Sequence, residues 1–399
     1  MLAAYRPLFA VPGAARFVVG ATLSRIGGAM FGVAIIVMVS ARESSYALAG
    51  AVSAVGVVVL AASSPVIGGL IDRWGQRRAS LPFVLFSAVA GTVTILCSLL
   101  HAPVWTVFAS YAASSCLPEM GPMSRARWAH IYSGDAGRLH TAMSFEQVVE
   151  EFAFVLGPVL AVAAATTLFP EAGLVLAYAV FTRGSLLFLA QRDTEPPIVP
   201  HADRPGGFAI HHPGVVVLAL AGVMVGIIFG ANEVVAVAIS DEAGHKGFSA
   251  VILGAFAFAS GVAGLIFGTR QFPWTLSRRM LVGAVAMCLL EAPALIAPNL
   301  WTIALVMLVA GSATAPVLIT ALTLLQRLVP RAQITEGMAV GVTGILVGIS
   351  LGTSIAGWAV ERLGAQEAYA VPVAAGALAV AIVGANFARL SRAEAAAPA

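Results

Sequence analysis

The sequence predicts an all-α integral membrane protein: twelve transmembrane helices in two pseudo-symmetric six-helix bundles. Three observations carry this expectation: a composition too apolar for water, twelve apolar runs of spanning length, and residues that recur at a nearly fixed offset. Apolar residues make up 59% of the 399 and charged residues 10%, with a mean hydropathy of +0.94. A soluble domain carries roughly 25% charged residues, so this chain could not cover itself with polar surface.

The formal charge of +3 rests on arginine, since Lys246 is the single lysine. The arginines are scattered between apolar runs and form no patch, which argues against a nucleic-acid partner. Cys97, Cys116 and Cys288 lie inside apolar stretches without metal-ligand spacing and read as packing residues. No metal and no cofactor is expected. Residues 1–16 hold no short apolar core followed by a small-residue cleavage site, so no removable signal peptide is expected.

A spanning helix needs roughly 20 mostly apolar residues, because lipid offers nothing to an open backbone. The first six such runs are 17–40, 46–68, 81–100, 104–123, 143–168 and 173–189. A polar, proline-rich stretch follows at 191–213. The second six are 214–240, 248–267, 280–296, 301–325, 335–360 and 369–388. This divides the chain into a first bundle (1–190), a cytoplasmic linker (191–213) and a second bundle (214–399). With both termini cytoplasmic, the inner segments hold 17 of the 22 basic residues. The outer loops hold Arg42, Lys246 and Arg362, and the spans hold Arg25 and Arg183. That asymmetry follows the preference for positive charge on the inner side and fixes the expected orientation.

The halves resemble each other. Gly68 matches Gly264 at an offset of 196, Gly157 matches Gly352 at 195, and Thr141 matches Thr335 at 194. Duplicated bundles of this kind build a binding site at the bilayer midplane.

After the second run comes Gly68-Gly69-Leu70-Ile71-Asp72-Arg73-Trp74-Gly75-Gln76-Arg77-Arg78. This resembles the Gly-x-Leu-x-Asp-Arg-x-Gly-x-Arg-Arg signature of the major facilitator superfamily, in the expected loop. The resemblance extends over the whole chain and implies the major facilitator fold and a transport function, without naming a substrate. Locally, Gly68 and Gly75 permit a tight turn and close helix approach. Asp72 suits the positive N-terminal end of a neighbouring helix, which in the family is span 11, with Thr335 as its N-cap. Arg73, Arg77 and Arg78 either pair with acids of adjacent loops or simply hold the inner face. The second half has Gly268 where Asp72 would recur, so a one-sided conformational latch is expected. Gly157-Pro158 resembles part of a motif of superfamily antiporters, with Ala161 and Val162 where further glycine would follow. Proline there removes a backbone hydrogen bond and kinks the helix.

An ionisable group within a span costs roughly 2.5–3.5 kcal/mol on insertion scales. The family lines its cavity with spans 1, 4, 7 and 10. Glu233 shares a face with Gly222, Gly226 and Gly230, beside Asn232, and is read as a proton-coupling residue on a face open to ligand; an arginine pair is the alternative. Arg25 lies roughly 12–14 Å into span 1, at about 1.5 Å per residue. It binds an anionic group or neutralises a carboxylate. Glu146 and Glu150 share a face at the start of span 5 beside Glu151, and need counter-charges from Arg125, Arg127 and Arg138. Glu150 and Glu151 serve either coupling or a static network. Glu119, between Pro118 and Pro122, faces the cavity or those arginines. Glu291 and Arg183 lie in peripheral spans and read as structural. Thr320 belongs to a neutral stripe with Ser312, Pro316 and Thr323 that is either ligand-facing or packing glue.

Three functions remain open. The leading one is a monomeric secondary transporter exporting a small organic solute against protons by alternating access. It would sit in the lipid bilayer of a bacterial inner membrane, since the arginine-, alanine- and glycine-heavy usage suits a GC-rich genome. The alternatives are a proton-coupled nutrient importer and a non-transporting sensor or lipid-handling protein. An enzyme is disfavoured, because no nucleophile–base spacing and no phosphate-binding glycine loop is present.

Overall fold

The computed structural model describes residues 5–43, 46–198, 208–245, 248–270 and 272–396. Arg204, the middle of the linker and Lys246 lie outside the described residues. The first half contains α1 (Arg6–Phe9), α2 (Ala14–Glu43), α3 (Tyr46–Trp74), α4 (Gln76–Leu99), α5 (Val104–Ser114), α6 (Met120–Ile131), α7 (Ala136–Thr167) and α8 (Ala172–Ala190). The second contains α9 (Pro213–Glu242), α10 (Ser249–Phe267), α11 (Leu276–Glu291), α12 (Leu300–Leu328), α13 (Ile334–Leu363), α14 (Ala370–Ala385) and α15 (Phe387–Ala396). Helices are the form that satisfies every backbone group without water, and eleven of these elements are long and apolar enough to cross a membrane.

The fourth crossing departs from the expected continuous run 104–123. It breaks between α5 and α6, across Ser115–Glu119. Pro118 disfavours helical backbone at Leu117. Pro122 is the third residue of α6, where an amide would have no intrahelical partner anyway. Hydroxyls reinforce the end of α5: Ser114 and Ser115 donate to Tyr111 O at 2.8 and 2.9 Å, and Ser87 donates to the Ser114 carbonyl at 2.6 Å. None of the eleven spanning helices covers 104–123, and the hydropathy of the run says nothing of backbone continuity.

The repeat is visible in the packing. A Cβ at Gly157 of α7 would meet Ile26 O of α2 at 3.0 Å, and one at Gly352 of α13 would meet Ile227 O of α9 at 2.4 Å. Each glycine lets the fifth crossing of its bundle touch the first. α7 continues as one helix through Pro158.

In the second bundle the contact is a mutual zipper of Gly222, Gly226 and Gly230 against Gly344, Gly348 and Gly352. A Cβ at Gly226 would lie 2.1 Å from Ile345 O, and one at Gly348 would lie 2.1 Å from Val223 O. This corrects the reading of the α9 glycine face as open to ligand, because α13 occupies it. Gly348→Ala should therefore destabilise the bundle at the upper end of the roughly 1–3 kcal/mol typical of overpacking. Gly357→Ala, where an added Cβ meets nothing within 4 Å, should leave the melting temperature unchanged. Thermal unfolding of the two purified variants checks this.

Candidate functional site

The bundles meet where α3 packs on α13, α7 on α10 and α12, and α6 on α13. At one meeting point the signature loop docks on the start of α13. Gly75 sits at φ +88°, a left-handed value that suits glycine. A Cβ at Gly68 would come within 2.9 Å of Glu336 Cα. Asp72 Oδ1 accepts from Thr335 N at 3.1 Å and Oδ2 from Glu336 N at 2.9 Å. A carboxylate thus caps the unpaired amides and positive end of a helix on the other bundle. Thr335 is not the N-cap as expected. Gln333 holds that position, and Thr335 contributes its amide. Arg73 and Arg78 are exposed and Arg77 is half-buried. Both ends of the linker join the same place, with Arg77 N donating to Glu195 at 3.1 Å and Ala209 N donating to Glu336 at 2.8 Å.

The pseudo-symmetric position is closed as well, by the opposite chemistry. At the end of α10, Tyr5 Oη donates to Leu265 O at 2.8 Å, His140 Nε2 to Phe267 O at 2.9 Å and Thr141 Oγ1 to Gly268 O at 2.9 Å. The first bundle here supplies donors to the open carbonyls of a helix C-terminus. Burial pushes the Tyr5 hydroxyl up to about 12, so it remains a donor at neutral pH. An acid could not replace Gly268. Its Cβ would lie 2.4 Å from Ser144 Cβ and 2.5 Å from Tyr5 Oη. Hydrogen bonds therefore join the bundles at both pseudo-symmetric positions and not at the Asp72 side alone, and the absence of an aspartate at Gly268 has a steric cause.

Asp72→Asn keeps one acceptor but loses the charge on the helix end, worth up to about 2 kcal/mol in a partly buried geometry. Expression should stay near normal while turnover falls and cysteine labelling at the α3–α13 seam rises several-fold. Unchanged labelling and unchanged turnover would count against the latch.

Deeper in the first bundle, α2, α6 and α7 bring five charges together. Arg25 of α2 pairs with Glu146 Oε2 and reaches Gly121 O at 3.4 Å. Glu146 Oε1 accepts from Ser124 and from Trp128 Nε1, each at 2.7 Å. Glu146 is therefore fully committed. Glu150 is held loosely, with Oε2 3.5 Å from both Arg25 Nε and Arg125 Nη2, and its side chain is 27% exposed. Gly121 leaves room at the centre. A Cβ there would meet Arg125 Nη1 at 3.3 Å and Glu150 Oε2 at 3.4 Å. Glu119 is the residue immediately before α6 and accepts from Ser64 of α3. Across the bundle seam, Gln326 of α12 donates to Arg125 O at 3.1 Å.

Of the expected counter-charges, Arg125 pairs with Glu150 as expected, but Arg127 and Arg138 do not reach these acids. Arg127 instead donates to Gln76 at 2.7 Å and Thr194 at 3.1 Å and lies 3.9 Å over the Phe188 ring. Arg138 makes an exposed pair with Asp135 at 3.3 Å. Arg25 joins Arg125 instead, a contact between helices far apart in sequence and invisible to spacing. Glu151 bridges the bundles, accepting from Gln147 at 3.1 Å and from Ser260 of α10 at 3.0 Å. Thr320 is buried and donates to Pro316 O of its own helix at 2.7 Å. Asn232 is buried, whereas Glu233 is exposed on α9 with no ion pair among the described residues. The described residues hold no group of three or more His, Cys, Asp and Glu placed for a metal ion.

No protein-family model and no curated protein matches the sequence. Solved structures do match. A bacterial homologue of the iron transporter ferroportin, in an outward-facing state, aligns at 14% identity and TM-score 0.76, over 95% of this chain and 99% of that one. A major facilitator superfamily proton:xylose symporter, XylE, aligns at 13% and 0.67, over 94% and 96%. The chain has the major facilitator fold. A human organic anion transporter matches the same way, at 14% identity and TM-score 0.65, over 93% of this chain and 99% of its own.

Proposed function

We propose that this chain is a secondary transporter that exports a small organic solute in exchange for protons, by alternating access across a bacterial inner membrane. The observation that carries the reading is the charge count at the α2–α6–α7 site. Two buried guanidiniums, Arg25 and Arg125, face three carboxyls, Glu119, Glu146 and Glu150. One carboxyl exceeds the arginines, which leaves a place for one exchangeable proton. Glu150, loosely held and partly exposed, is the member able to leave its partners when substrate or solvent arrives. Glu233, exposed on the surface of α9 in the other bundle, is the second candidate acid. A solute with an anionic group would compete with Glu150 for Arg25 and Arg125. Among the structural neighbours is a human organic anion transporter, which agrees with that chemistry.

The two latches lie on the face that carries both termini, since Tyr5 belongs to one latch and Glu394 of α15 caps the start of α11 nearby. With that face cytoplasmic, the chain is closed to the cytoplasm. Residues 1–190 and 214–399 would then rock as units about the linker 191–213. The iron of the ferroportin homologue is not carried over, for want of a ligand cluster among the described residues. Import with protons is the second reading, favoured by the likeness in fold to a proton:xylose symporter.

Proteoliposomes with an imposed pH gradient decide direction. Export predicts solute leaving the compartment into which protons flow, and import predicts movement with the protons. A reporter after Gln191 should be cytoplasmic. An external signal there would overturn the orientation.

A further inference from the structure

A cavity of about 120 Å³ opens beside the Asp72 latch. Segments from both bundles and the linker wall it. The first bundle contributes Ile71 of α3 with Ala126 and His130 of α6, the second Arg331 and Ile334 around the start of α13, and the linker Ile198. A Cβ at Gly75 would lie 3.3 Å from Ile198 Cδ1, so the linker rests directly on the signature loop.

Burial sorts the walls by depth. Ile71 and Ala126 are buried and form the floor. The polar groups that share this lining are already spent. Gln76 donates to Met123 O at 3.0 Å and accepts from Arg127 at 2.7 Å, and both Asp72 oxygens accept amides of α13. The mouth differs, because His130, Ser133 and Arg331 line it and are exposed. Among the described residues, none of these three side chains has a hydrogen bond or an ion pair.

Each part of the cavity restricts its occupant. A bare inorganic ion would lose its hydration against the floor with nothing there to replace it. The unpaired guanidinium at the mouth favours an anion, and a planar carboxylate matches its fork. Size sets the last limit. An apolar cavity of roughly 150 Å³ holds a benzene molecule, so this one suits a single small ring or a short branched chain.

We infer that the cavity binds a compact organic anion, with its carboxylate beside Arg331 at the mouth and its apolar body on the floor. The walls belong to both bundles, so the site is complete only while the Asp72 latch is closed, and a ligand there favours that state. Slower turnover in the presence of such an anion rests on the transporter reading; the binding does not.

Benzoate is the test anion, with benzamide as its uncharged counterpart and inorganic phosphate as a charge without an apolar body. The melting temperature of the purified full-length chain is measured against the concentration of each at constant ionic strength, because a ligand of the folded state raises stability with its concentration. The expected result is a saturable rise of several degrees with benzoate and none with the other two. Saturating benzoate should also lower cysteine labelling at the α3–α13 seam several-fold. Arg331→Gln, a change at an exposed position, should raise the half-saturating benzoate concentration about tenfold or more, as for loss of a charged hydrogen-bond partner. Ala129→Leu, which fills the cavity from α6, should abolish the response. No rise with benzoate would overturn the inference, as would equal rises with benzamide or phosphate. A benzoate response unchanged by both substitutions would place the anion elsewhere, the α2–α6–α7 cluster included, and would overturn it too. These readouts involve no flux, so they stand or fall apart from the transport reading.

Discussion

Arg25→Leu should cause the largest loss of stability among single changes in the first bundle, about 3–5 kcal/mol, as expected when one partner of a buried ion pair is removed. Glu146 would keep Ser124 and Trp128 at 2.7 Å but lose the charge that makes its burial tolerable. The side chains of Arg25 and Glu146 are only 5% and 2% exposed, so solvent screening does little to soften the effect. Substituting both partners should recover much of the loss, because an apolar pair leaves no uncompensated charge. A double-mutant cycle on Arg25→Leu and Glu146→Leu, read as melting temperature, measures this. Strict additivity of the two single changes would show that the residues are not coupled and would remove the pair from the architecture. Arg25→Lys should recover only part of the stability, since an ammonium cannot reach Glu146, Glu150 and Gly121 O with one planar fork.

What could be read from the sequence, and what could not, divides along a physical line. The crossings were legible because hydropathy reports the solvent. The Asp72 contact with α13 was legible because a local motif encodes it. The Gly157 and Gly352 pairing was legible because a glycine at a helix contact leaves a mark at a fixed offset. The break in the fourth crossing was not, because Pro118 and Pro122 sit in a stretch whose apolarity is continuous. The face of Gly222, Gly226 and Gly230 was misassigned. Small residues mark close approach, and the pattern alone does not say whether a ligand or another helix approaches. The α10 latch went unseen because its acceptors are backbone carbonyls, which every sequence has. Arg25 with Glu146, and Glu151 with Ser260, depend on the rotation and depth of helices far apart in the chain. For these the sequence supplied the charges and the burial, and the fold alone supplied the partners.

Glu150→Gln should abolish proton-driven solute movement, lowering it by about a hundredfold or more on the scale of removing a general acid–base group, while leaving the protein folded. The reason is arithmetic within the site. Arg25 and Arg125 face Glu119, Glu146 and Glu150, so the wild-type cluster has one carboxyl beyond its guanidiniums. Removing the Glu150 charge leaves two against two, a set that is balanced without a proton and has none to exchange. Stability should change little, because Glu150 is partly exposed and sits 3.5 Å from each arginine, and glutamine can still accept from Arg125. Gradient-free solute exchange should therefore persist. Glu233→Gln provides the comparison. That acid has no counter-charge among the described residues, so its loss tests coupling on the second bundle without disturbing a pair. Driven flux, gradient-free exchange and melting temperature, measured on one preparation of each variant, separate the cases. Loss of driven flux with retained exchange in Glu150→Gln places the proton in the first bundle. Fully driven flux in Glu150→Gln, with its loss in Glu233→Gln, would move the proton to α9 and leave the α2–α6–α7 cluster as a static support.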